Sequence, residues 1–159
     1  MRRFILAAGL AALLLIPATA FATNSDKATG DASSPGATEN GNVPFELVFT
    51  AQGTAAPKGN FTFTRADGSF TVASVSCYSQ SGNEAGFSGT ITSATGVLAG
   101  FLGQTGYASV QDNGQGSKAT APGRMQIDIG SVYASNCAPG QPYFPYAVSS
   151  GTVQVHQGS

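Results

Sequence analysis

From Val43 onward, apolar side chains recur at every second position, and this rhythm constrains the fold more than any other feature of the chain. Phe45, Leu47 and Phe49 alternate with Glu46, Val48 and Thr50, and Phe61 and Phe63 alternate with Thr62 and Thr64. Met125, Ile127 and Ile129 alternate with Arg124, Gln126 and Asp128, and Val153 and Val155 with Thr152, Gln154 and His156. Successive side chains of a strand point to opposite faces, so such runs read as strands with one face buried and one in water. No window long enough for a helix carries an apolar stripe free of glycine or β-rich interruption. Between the runs stand Asp67-Gly68, Gly82-Asn83, Asn113-Gly114 and Pro139-Gly140, residue types that tolerate the backbone angles of tight turns. The expectation is an all-β domain over residues 43–156, a single antiparallel β-barrel or β-sandwich of seven to nine short strands. Eight phenylalanines and five tyrosines in that span supply large rings for its core.

What precedes the domain reads differently. Met1-Arg2-Arg3 is followed by the apolar run Phe4 to Ile16, then Pro17 and the small-residue sites Ala18-Thr19-Ala20 and Ala20-Phe21-Ala22. This is the three-part layout of a secretory signal peptide, expected at 1–22 with cleavage after Ala22. The apolar run is short of the roughly 20 residues that span a bilayer, so no membrane span is expected in the mature chain. Residues 23–42 hold no apolar side chain larger than alanine and read as a flexible Ser/Thr/Gly/Ala-rich linker. Residues 157–159 read as a tail. The short Arg-Arg leader looks bacterial, and the expected address is secreted, extracellular.

Composition then removes several kinds of function. Only 9% of the residues are charged, against about a quarter in ordinary soluble domains. Beyond Arg2 and Arg3, five basic and eight acidic residues leave the mature chain near −3, without the basic surface that nucleic acid or anionic lipid requires. One histidine and two cysteines are too few for a zinc, copper or iron site, and neither a metal nor a cofactor is expected.

The two cysteines, Cys77 and Cys137, form an even set in an exported chain and are expected to pair. Closing a loop of about 60 residues would stabilise the fold by about 4 kcal/mol on the chain-entropy argument. A redox role is disfavoured by the lack of Cys-x-x-Cys spacing. No catalytic residues are assigned. His156 falls at an outward position near the carboxyl end, and no Gly-x-Ser-x-Gly elbow is present. Glu46, Asp67, Glu84, Asp112 and Asp128 are scattered singly on strand faces and turns. Asp112-Asn113-Gly114 starts like a calcium loop but lacks the further ligands at alternate positions, and reads as a hairpin turn. The stretch Pro139 to Tyr146, PGQPYFPY, cannot be a central strand, because proline donates no ladder hydrogen bond. It is expected to be a loop or an edge in which Tyr143, Phe144 and Tyr146 form a candidate binding loop or fold back onto the barrel mouth.

The runs Phe87-Ser88-Gly89-Thr90-Ile91, Tyr107 to Gly114 with its Val-x-Asp-Asn-Gly turn, and Arg124 to Ile129 followed by a cysteine resemble a loosely defined group of small secreted bacterial all-β domains of uncharacterised function. The resemblance covers most of 58–156, implies an all-β fold outside the cell, and brings no catalytic residues with it. The leading expectation is a non-catalytic surface-interaction or binding module meeting a cell-wall or extracellular polymer or protein. The alternatives are a carrier of a small hydrophobic ligand in a cavity lined by Phe45, Phe61, Phe63 and Phe70, and a small extracellular enzyme.

Overall fold

A computed structural model of the chain describes residues 25–36, 43–53, 55–114, 121–130, 132–140 and 146–158. The leader expected at 1–22 lies outside the described residues. Nine strands follow one another: β1 (Lys27–Ser34), β2 (Phe45–Gln52), β3 (Lys58–Arg65), β4 (Phe70–Ser81), β5 (Glu84–Ala94), β6 (Thr105–Gln111), β7 (Arg124–Ile129), β8 (Tyr146–Ala147) and β9 (Ser150–His156). All pair antiparallel in one sheet of order β8-β7-β6-β5-β4-β3-β2-β1-β9. β1 to β7 form a plain meander. The two outermost strands of the order, β8 and β9, are consecutive in the chain, so the sheet has to curl until its ends meet on one segment. The changeover falls between two residues: the Val148 N–H donates to Gly123 O at 2.8 Å, and the Ser149 N–H to Ser33 O at 2.9 Å. The all-β architecture expected from the two-residue rhythm is observed, and of the barrel and the sandwich that the sequence left open it is the barrel-like one, a single curled sheet.

The inward residues of the curl make one core. Leu47, Phe49, Phe61, Phe87, Val110 and Met125 are all buried. The Phe87 ring lies 5.3 Å from that of Phe49 and 5.3 Å from that of Phe61, so rings from β2, β3 and β5 meet across the middle of the curl and fill it. Aromatic pairs at such spacing add stabilisation beyond the area they bury.

Two sequence expectations are corrected. The linker assigned to 23–42 contains β1, and the folded part therefore begins near residue 27 instead of 43. β1 pairs with β2 on one side and β9 on the other, with Ala28 and Ala32 fully buried. Its inward residues are small because the space is already taken: a Cβ added to Gly30 would collide with the Phe49 ring and the Thr152 carbonyl. A strand whose role is to leave room for a neighbour's rings carries no hydrophobic signal. Asn113-Gly114, expected to close a tight hairpin, instead opens the longer connection between Gln111 and Arg124. Asp112 is the reason: one carboxylate oxygen accepts the Gly114 N–H at 2.9 Å, and the other accepts the Val155 N–H at 3.2 Å. The side chain thus ties the β6–β7 connection to β9. Gly82-Asn83 does form the two-residue hairpin expected, with Gly82 at φ 57°. Asn83 Nδ2 donates to Asp112 O at 2.7 Å, locking that hairpin to the same connection.

Candidate functional site

Cys77 and Cys137 are joined, as expected, with Cα atoms 6.0 Å apart. Their bond pins a strap, residues 132–140, across the outer face of β4, β5 and β6. The Ser88 hydroxyl donates to Ala134 O at 2.6 Å, the Tyr107 hydroxyl to Ala138 O at 2.6 Å, and the Gly140 N–H to Ser109 Oγ at 2.8 Å. The strap lies so close to β5 that no Cβ fits at Gly86, where the Cys137 carbonyl stands. This cover explains why β5 is buried on both faces from Ala85 to Gly89. It leaves a hydroxyl-lined cleft of about 530 Å³ beside the disulfide, edged by Ser76, Ser88, Thr105 and Ser135.

The interior is filled at its middle, but one mouth is open. There, an apolar pocket of about 260 Å³ is walled by Phe45, Phe63, Phe101, Ile127, Ile129 and Tyr146. Strand register accounts for its walls. Phe45 begins β2 and Phe63 lies near the end of β3, each continuing the inward set that includes Leu47 and Phe61. Ile127 and Ile129 pair with Ala108 and Gly106, the inward residues of β6. Phe101 comes from the short 3-10 helix Gly96–Phe101 between β5 and β6, and Tyr146 opens β8. The Phe45 ring is central: it meets Phe63 at 5.2 Å with the planes 56° apart, and Tyr146 at 4.9 Å nearly edge-on at 85°. Phe61, one inward step deeper on β3, belongs to the aromatic filling instead.

Among the described residues two charged side chains belong to the pocket lining, and the pleat sends them opposite ways. Asp128 is paired with Tyr107, whose hydroxyl reaches the strap on the outer face, so the Asp128 carboxylate also turns outward and accepts the Ile129 N–H at 2.8 Å. Arg65 is paired with Phe45 and faces inward over the mouth. Its Nε–H donates to Asp67 Oδ2 at 3.3 Å, and its side chain is 26% exposed. Asp67 is held independently of Arg65: the Ser69 N–H donates to its other oxygen at 2.9 Å. That backbone N–H first, and the Ser69 hydroxyl next, keep the Asp67 carboxyl below its ordinary range, with Arg65 adding to the effect. Beside the pocket, the uncharged connection 96–103 leaves Val97 and Leu102 exposed.

The cavity expected behind Phe45, Phe61, Phe63 and Phe70 is therefore corrected in place and extent. Phe45 and Phe63 line it and Phe61 plugs the curl below. Phe70 pairs with Thr64 and lies on the other face, because β4 turns Thr71, Ala73 and Val75 inward. Of the candidate binding loop, Tyr146 is in the pocket wall, whereas Tyr143 and Phe144 lie outside the described residues. His156 is exposed opposite Lys27, at the far end of β9 from the mouth. Glu84 accepts a hydrogen bond from Gln111 Nε2 at 2.8 Å. Among the described residues no three His, Cys, Asp or Glu side chains gather where a metal ion would sit, and no helix is long and apolar enough to cross a membrane.

Sequence reading missed Arg65 and Phe101. Arg65 was legible in part, since it extends the inward run Phe61, Phe63 by one more step and so places a charge on the buried face at its rim. Phe101 lies in Gly96 to Gly103, GVLAGFLG, which has neither a two-residue rhythm nor a turn pair to give it a place. No protein-family model, curated protein or solved structure matches the chain.

Proposed function

We propose that this protein is a non-catalytic binding module working outside the cytoplasm, and that the barrel-mouth pocket is its binding site. The observation that carries the reading is an open, ring-lined hollow on a rigid frame. Binding sites are typically concave, largely apolar, preformed and supplied with a few placed polar groups. A closed cavity of about 150 Å³ lined by aliphatic and aromatic side chains holds benzene, so the room here suits an apolar group somewhat larger than that. Every wall except the short Gly96–Phe101 helix is built on strands, and the middle of the curl beneath is packed, so little reorganisation is needed before a ligand enters. An extracellular address is supported by the disulfide, which persists in oxidising compartments, and by the leader pattern at 1–22. This reading narrows the expected extracellular partner to one that offers an apolar group.

Titration with phenylpropanol tests the proposal. Saturable binding is expected, with the ring resonances of Phe45, Phe63 and Tyr146 shifting together while those of Phe49 and Phe87 hold, and with the alcohol recovered intact by mass spectrometry. Shifts scattered over the whole surface would remove the pocket from consideration, and a chemically altered probe would replace the binding reading with an enzymatic one.

A further inference from the structure

Resting on the pocket as the binding site, the geometry points to a ligand class: we propose that the pocket receives a small amphipathic acid, its apolar body among the rings and its carboxylate on Arg65. Register decides the sign of the charge. Among the described residues the charged side chain that the pleat aims over this mouth is the Arg65 guanidinium, whereas the Asp128 carboxylate is turned to the outer face. About three-quarters of the Arg65 side chain is covered, so its charge is partly withdrawn from water and gains from a partner.

Asp67 supplies only part of that partnership. It meets Arg65 through Nε alone, at 3.3 Å, and its carboxylate is already held by the Ser69 N–H. A guanidinium carries five N–H donors in a planar fork. The single Nε contact leaves the two Nη groups without a hydrogen bond among the described residues. That open edge is the shape that accepts both oxygens of a carboxylate in parallel, a pairing that a lysine ammonium cannot reproduce. Arg65 and Phe45 also border a second, more open groove beside the mouth, edged by Ser34, Thr64, Ser149 and Glu46; the pleat turns the exposed Glu46 to the outer face, away from the inward Phe45 and Arg65, so the head of a bound acid meets Arg65 at the rim while its body stays in the apolar pocket.

The experiment uses the exported chain with its disulfide intact, near neutral pH, and three probes sharing one body: phenylpropionate, phenylpropanol and phenylpropylamine. Calorimetric titration is expected to rank them acid, alcohol, amine, with the acid about tenfold tighter than the alcohol, the gain of one well-placed charge-assisted pair. Arg65→Met brings the ratio of acid to alcohol affinity to about one, and Arg65→Lys leaves an intermediate ratio. Added salt weakens the acid selectively in the native protein, a readout that needs no variant. Octanoate beside octanol, titrated in the same way, is expected to show the same preference, and the tighter of the two acids tells an aryl body from an alkyl one. An acid no tighter than its alcohol, or a preference that survives in Arg65→Met, overturns the assignment of an acid while leaving the pocket in place. Absence of binding by all the probes removes the pocket reading itself.

Discussion

Gly30→Ala is the most direct test of the packing that brings residues 27–34 into the barrel. Gly30 adopts an ordinary extended backbone, so the conformation itself would accept alanine. Such a replacement usually stabilises a protein by about 0.4–1 kcal/mol, through lower entropy of the unfolded chain. Here the added methyl meets the Phe49 ring on one side and the Thr152 carbonyl on the other. Neither yields easily: Thr152 is main chain held in the β1–β9 ladder, and the Phe49 ring is stacked on Phe87 at 5.3 Å. Forcing one methyl into a packed interior costs about 1–3 kcal/mol. Set against the entropic gain, the net loss is about 1.5 kcal/mol, or a fall in Tm of about 6 °C for a domain of this size.

Differential scanning calorimetry of the parent, Gly30→Ala and Gly100→Ala measures it. A Cβ at Gly100 meets nothing within 4 Å, which makes that variant a control expected to match or slightly exceed the parent. If Gly30→Ala melts with the control, β1 is not packed against Phe49 and the segment returns to being a tether. A chain shortened to begin at Val43 sharpens the test. As a tether, 23–42 would be dispensable; as β1, its loss unpairs one side of both β2 and β9 and is expected to abolish cooperative unfolding.

Other consequences follow from single contacts. Replacing Cys77 and Cys137 together by serine opens a loop with a sequence separation of 60 and removes about 4 kcal/mol on the chain-entropy argument, read as a lower denaturant midpoint; an unchanged midpoint would refute the pinning role of the bridge. Asp112→Ala strips the acceptors of the Gly114 and Val155 N–H groups and should cost about 1–3 kcal/mol, with faster amide exchange at Val155; Asp112→Asn, which keeps one acceptor oxygen, should lose less. The Tyr78 phenol is pushed well above its ordinary value, first by burial and then by the Asp26 carboxylate. Because the folded state holds this proton more tightly than the unfolded one, its contribution is complete below the ordinary phenol pKa of about 10 and is lost as pH rises through the folded value. Tyr78→Phe should therefore flatten the fall of Tm on the alkaline side, and an equally steep fall in the variant would refute that origin. Asp67 has the opposite sign: its lowered carboxyl adds stability above the ordinary range and loses it as the pH drops through the folded value, so Asp67→Asn should narrow the difference in Tm between neutral and acid solution.

The unequal legibility of this chain has a physical origin. Strands announce themselves when they bring their own apolar volume, as Phe45 to Phe49 and Met125 to Ile129 do. The all-β class, the hairpin at Gly82-Asn83 and the pairing of the two cysteines were readable from residue types alone, whereas the order of the strands and the choice of barrel over sandwich were not. β1 was not, because it is defined by volume it omits: its inward residues Ala28 and Ala32 are small and fully buried, and Gly30 between them is glycine on account of Phe49, whose ring reaches it only after folding. The strap was hidden for the same reason from the other side, since Gly86 is glycine to admit the Cys137 carbonyl, and no local pattern says so. The pocket combines both cases. Its rings were visible as inward residues, but emptiness at the mouth depends on where Phe61 and Phe87 have already filled the curl, and the direction of Arg65 on its register with Phe45. One consequence is specific. If the hollow exists only because the filling stops at Phe61, then Ile129→Trp, at the rim, should close it without disturbing the rings beneath, abolishing phenylpropanol binding at nearly constant Tm. A variant that melts normally and still binds the alcohol would mean that the ligand sits elsewhere, and both the pocket and its Arg65 edge would lose their claim to function.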